Sequence, residues 1–153
     1  MKFTYDAYRA LLSLLREGGY VARNYHNYTD APRCVIIRHD IDNSLQQAVK
    51  LAELEAEENI QSTWFVLLRT DFYNVFSKAS KEALDRIQTL GHEIGLHFDE
   101  ASYTPALRPD EVVQNIIKEC GLLSALLETG SRPFPCTVRP NRRWRWTSRF
   151  PAS

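Results

Sequence analysis

The chain has 153 residues, of which 44% are hydrophobic and 25% charged, the proportions of a single domain with a proper core. No apolar run approaches the ~20 residues that cross a bilayer, and the first residues lack the charged, apolar and small-residue zones of a signal peptide, so the sequence reads as cytoplasmic with no membrane span. The formal net charge is zero, but residues 132–153 hold six arginines and no acid, which leaves an acidic body and a basic end.

Apolar residues at helical spacing (Tyr8, Leu11, Leu12, Leu14, Leu15) predict a helix over 5–17, stopped by Gly18 and Gly19. Residues 20–32 read as a connection with a short strand at 20–22, and His26 within it reads as a solvated loop histidine. The β-branched run at 34–37 predicts a strand buried on both faces, of the kind found in parallel sheets. Asn43 or Ser44 caps a helix whose apolar stripe runs from Leu45 to Ala56, against Glu53, Glu55, Glu57 and Glu58. Residues 62–68 predict a second buried strand, and strand, helix, strand implies a parallel crossover.

The segment 69–76 is then a loop at the C-terminal end of the sheet, where α/β folds place their sites. Tyr73 and Asn74 in it are candidate substrate contacts, with packing as the alternative. A helix follows over about 78–90, then a third strand over 92–97, interrupted by Gly95, with Asp99 and Glu100 just beyond. Asp110 caps a long helix in which Gly121 marks a kink or break, and residues 133–138 open a fourth strand. The three cysteines have no CxxC spacing and suggest buried thiols rather than a disulfide framework or a zinc knuckle.

Two clusters carry the chemistry: Arg38-His39-Asp40-Ile41-Asp42 and Gly91-His92-Glu93-Ile94-Gly95-Leu96-His97-Phe98-Asp99. In an extended strand, residues two apart share a face, so Asp40 pairs with Asp42 and His97 with Asp99. Carboxylates and imidazoles gathered at neighbouring strand ends are the groups that hold a divalent cation, and a spare carboxylate beside one activates water. Taken singly, these residues also read as caps, turns or core histidines.

The segments 35–42, 62–67 and 91–99 resemble the successive motifs of the polysaccharide deacetylase family, over roughly residues 5–140. The resemblance implies an α/β fold, an incomplete (β/α) barrel of the polysaccharide deacetylase type with a mainly parallel sheet and flanking helices. It implies a carbohydrate substrate that loses N-acetyl groups, and a divalent metal such as zinc. It makes Asp42 and His97 metal ligands, Asp40 the general base that takes a proton from metal-bound water, and Arg139 the residue that positions Asp40. The family's second histidine falls at Ala101, and Asp99 is the candidate replacement ligand; His92 has a supporting place. The family's later motifs have no counterpart, and four strands are too few for a barrel of seven or eight. The deacetylase-like domain is expected over 1–138. The Arg/Trp-rich tail 139–153 is expected to be disordered, or the product of a truncated or shifted frame, ahead of a nucleic-acid contact. A non-catalytic metal- or sugar-binding fragment is the alternative reading.

Overall fold

The computed structural model describes residues 4–103 and 108–127, together with the backbone of 136–139. Thr4 is extended, and its hydroxyl accepts from the Ala7 amide at 3.2 Å, which starts α1 (Tyr5–Glu17). Gly19, at φ +74°, then turns the chain through the left-handed region. Only Leu12 of the expected apolar stripe is buried in α1, while Leu11 and Leu14 are exposed. The helix is held instead by polar contacts with the end of the next one, through Arg9 to Glu57 at 2.7 Å and Arg16 to Glu58 at 2.8 Å.

β1 (Val21–Arg23) and β2 (Cys34–Ile36) form a small parallel sheet of their own. This corrects the reading of 34–37 as a doubly buried strand of the main sheet: β2 is half-buried and pairs only with β1 among the described residues. The chain breaks at Ile37, and the Asp-bearing motif is itself the next strand, β3 (Arg38–Ile41).

Ser44 caps α2 (Leu45–Glu57), accepting from the Gln47 amide. β4 (Thr63–Leu67), α3 (Lys78–Thr89), β5 (Glu93–Asp99), α4 (Pro109–Leu127) and β6 (Cys136–Arg139) follow. Strand order is β3-β4-β5-β6 with every pair parallel, so each strand is laid beside its predecessor. Gly95 does not interrupt β5 and Gly121 does not break α4.

Ile41, Trp64, Val66, Ile94, Leu96 and Phe98 alternate onto one face of the sheet, where Leu45, Ala48 and Ala52 of α2, Leu84 and Ile87 of α3, and Leu123 of α4 close over them. Each such large side chain contributes ~1.5–3 kcal/mol by leaving water. With three helices on one face and strands added in sequence, the winding is that of a (β/α) unit, and the class is α/β with parallel sheets. Among the described residues the four strands of the main sheet form an open sheet. Among the described residues no helix is long and apolar enough to cross a membrane. Cys34 and Cys120 are half-buried thiols, and the side chain of Cys136 lies outside the described residues, as does the tail beyond Arg139.

Candidate functional site

The face of the sheet away from the helices carries Arg38, Asp40, Glu93 and His97 around the buried Phe65 and Leu67. Register aligns Arg38 with Thr63 and Glu93, then Asp40 with Phe65 and Gly95, then Leu67 with His97. Asp42 follows one residue after Ile41, which pairs with Val66, so it lies beside Leu67 in the same row as His97. The two side chains meet over Leu67, with His97 Nε2 3.5 Å from Asp42 Oδ1. Two donor atoms at that separation lie close to the ~3.4 Å edge of a tetrahedron with ~2.1 Å metal–ligand arms. His97 is buried and Asp42 half-buried, so the pair has one side against protein and one toward solvent.

Asp40 is exposed and lies on β3, two residues before Asp42. Its two oxygens accept from Arg38 Nη2 at 2.6 and 2.8 Å. The Arg38 guanidinium also sits 4.8 Å above the Phe65 ring, and Tyr25 packs edge-on against that ring from the connecting segment. Burial lowers the Arg38 pKa, but the hydrogen bonds and charge of Asp40, with a smaller contribution from Tyr25, outweigh it and raise the value above the ordinary one. Arg38 was given no role from sequence, yet it stands two residues before Asp40 and so shares its strand face. The backbone of Arg139 pairs in register with Asp99, and its side chain lies outside the described residues.

Asp99 is the last residue of β5 rather than a residue beyond it. Its carboxylate caps a 3-10 turn at Glu100–Ser102, accepting from the Ala101 amide at 3.1 Å and the Ser102 hydroxyl at 3.0 Å. Asp42 and Asp99 line one cleft of about 290 Å³ at the C-terminal ends of the strands, together with Arg69, Asp71, Phe72 and Ser102. Among the described residues no group of three or more His, Cys, Asp or Glu side chains converges as a metal site.

Tyr73 is half-buried, and its hydroxyl donates to the Ile41 carbonyl at 2.8 Å while accepting from the Leu67 amide at 3.1 Å. It therefore ties the C-terminal ends of β3 and β4 together beside Asp42. Burial, with a smaller contribution from Asp42, pushes its phenol up. Asn74 is exposed and its side-chain oxygen accepts from the Phe76 amide, forming the turn into α3. Both residues also line a wider hollow around the 68–75 loop. His26 is exposed but pairs with Glu93 at 2.8 Å, and Glu93 also accepts from Thr63, so this histidine belongs to the polar face rather than to open solvent.

His39 points the other way, toward the helices, and centres a buried network that sequence reasoning missed. Its Nε2 lies 2.7 Å from Glu55 Oε1, and its ring stacks on Trp64 at 4.1 Å. Tyr8 and Ser62 donate their hydroxyls to the same Glu55 carboxylate. His92 Nε2 faces the Ala52 carbonyl at 2.9 Å, and its Nδ1 accepts from the Ser62 amide, which assigns the proton to Nε2. Burial raises the Glu55 pKa, but the hydrogen bond and charge of His39, then the bonds from Ser62 and Tyr8, outweigh it and hold it below the ordinary value. Burial lowers His92 against opposing effects from Ala52 and Glu55, so it stays neutral. Glu55, expected on the polar stripe of α2, is fully buried. The signal was present, because Leu45, Ala48, Ala52 and Glu55 are spaced three, four and three residues apart on one helix face.

A scan against protein-family models gives no match, and a search of the curated proteins gives none either.

Proposed function

We propose that the chain is a metal-dependent hydrolase that removes N-acetyl groups from a carbohydrate, on a partial (β/α) barrel of the polysaccharide deacetylase type. The observation that carries this reading is the approach of Asp42 and His97 to 3.5 Å across β4, at the C-terminal ends of parallel strands β3 and β5, with Asp40 two residues before Asp42. Asp42 Oδ1 and His97 Nε2 are the donors for a divalent ion such as zinc, and one carboxylate with one imidazole is a donor set that zinc accepts. Asp99, on the same cleft, is the third ligand in this reading, using lone pairs that Ala101 and Ser102 leave open. When bound, the ion supplies a Lewis acid that polarises the amide carbonyl and acidifies water.

Asp40 takes the proton from the attacking water, and Arg38, fixed on Asp40 by two hydrogen bonds, holds that carboxylate in one orientation. The water oxygen bonds to the acetyl carbon, the proton held by Asp40 passes to the amide nitrogen, the C–N bond breaks, and the sugar amine and acetate are released. Arg139 joins Arg38 as a positioning residue for Asp40 in this reading, and Tyr73 and Asn74 stand on the loop that borders the substrate. A second reading, a metal- or sugar-binding domain without turnover, is favoured by the convergence of only two donor residues among those described. Acetate release from N-acetylglucosamine oligomers, measured with and without added zinc, separates the two. Zinc-dependent release abolished in Asp40→Ala and Asp42→Ala supports the hydrolase, whereas zinc binding without release supports the second reading.

A further inference from the structure

We infer that the loop joining β4 to α3 carries the sugar-recognition wall of the cleft, with Phe72 as a stacking platform and Arg69 as a fixed hydrogen-bond donor. The choice of a sugar rests on the proposed function, and the wall rests on the geometry of this loop.

Phe72 is 70% exposed, more than any other large hydrophobic residue described. It lies on the cleft that holds Asp42 and Asp99, and also borders the wider hollow of about 530 Å³ lined by residues 68–75. An isolated exposed phenylalanine is ordinary on a protein surface. This one stands at the rim of a depression whose other groups, Leu67 apart, are carboxylates, an amide, hydroxyls and one guanidinium. Such a wall suits a ligand with hydroxyls around its edge and one apolar face, which is the chemistry of a pyranose ring.

The loop is fixed at both ends. Thr70 Oγ1 accepts from the Phe72 amide at 3.3 Å, and Tyr73 ties the residue after Phe72 to β3 and β4. Arg69 is held from behind: its Nε donates to Glu119 Oε1 at 2.9 Å, and its guanidinium sits 4.5 Å above the Tyr103 ring. Tyr103 donates its hydroxyl to the same buried Glu119 oxygen at 2.6 Å. Glu119 of α4 therefore orients one cation of the wall from outside the cleft, and a pre-oriented guanidinium loses less freedom on binding than a loose one.

The test is calorimetric titration of the full chain with the β-1,4-linked tetramer of N-acetylglucosamine, for the parent, Phe72→Ala, Phe72→Trp, Arg69→Met and the control Phe76→Ala. Phe76 is also an exposed aromatic but does not line the cleft. Phe72→Ala is expected to weaken binding about tenfold, Arg69→Met about fivefold, and Phe72→Trp and Phe76→Ala to bind like the parent. Because Phe72 is exposed, its truncation leaves the melting temperature unchanged, so a binding loss is not a folding loss. Equal affinity in the parent and Phe72→Ala overturns the platform, as does a parent that does not bind the tetramer. A parent that binds the tetramer without releasing acetate removes the hydrolase reading and leaves the wall standing.

Discussion

The two faces of the central sheet solve the same problem differently. Toward the helices, His39, Glu55, Ser62, His92 and Tyr8 are polar groups in a core position, and each is bonded to another or to backbone. Toward the cleft, Arg38, Asp40, Asp42, His97 and Asp99 are as polar, but Asp40 is exposed and Asp42 and Asp99 line an open depression. A closed network rigidifies and specifies the packing. An open one keeps ligand positions available to something from solvent. The motif Arg38 to Asp42 supplies both faces at once, because strand alternation sends His39 inward and Asp40 outward.

Mutations separate the faces. On the cleft side, Asp40→Ala is expected to reduce acetate release by about 10²–10⁴-fold, the range for loss of a positioned base, with an unchanged melting temperature. On the helix side, Glu55→Ala strands His39, Ser62 and the Tyr8 hydroxyl in the core, and is expected to destabilise by about 3–5 kcal/mol in urea unfolding. A cleft substitution that unfolds the chain, or a Glu55 substitution that leaves stability intact, would dissolve the distinction.

Stability against pH reads the buried groups directly. His92 and Glu55 both have lowered pKa values in the folded chain, so the unfolded chain binds more protons as pH falls. The contribution of His92 is complete above its unfolded value of about 6.5 and drains as pH falls through its folded value. That of Glu55 follows below about 4.3. Tyr8 is raised by burial and by Glu55, so its contribution is complete below about 10 and is lost as pH rises further. Thermal unfolding from pH 3 to 11 should therefore give a plateau between about 6.5 and 10, and His92→Gln should remove the upper step of the acid limb.

Tyr73 bridges the strand ends that bear the cleft residues. Tyr73→Phe leaves the Ile41 carbonyl and Leu67 amide without their partner, and is expected to cost about 1–3 kcal/mol, again by urea unfolding. A larger loss of acetate release than of stability would show that Tyr73 also contacts substrate. The smallest effect lies off both faces. A Cβ at Gly121 of α4 would meet nothing within 4 Å, so Gly121→Ala is expected to stabilise by about 0.5–1 kcal/mol.

Periodicity with a glycine stop or a capping residue was enough for α1 and α2, and short apolar runs were enough for the strands β4 and β5. It misled at 34–37, where an apolar β-branched run looks the same in a small side sheet as in a buried central strand. The difference lies in which partner the strand finds, and that is a tertiary fact. Parallel order put the ends bearing Asp42 and His97 at one edge of the sheet, while their meeting across β4 depends on the register at Leu67. Arg38 was legible as well, by the two-residue spacing that placed Asp40 and Asp42 together. Glu55 was readable by helical spacing but ran against the expectation that a glutamate faces water, since only its partners from α1, β3 and the segment before β4 make burial tolerable.

Zinc titration of the metal-free chain by calorimetry, compared with Asp42→Ala and His97→Ala, tests the central claim most directly. One zinc ion per chain is expected, with affinity falling at least tenfold in either variant while both remain folded. Equal zinc affinity in the parent and both variants would contradict it.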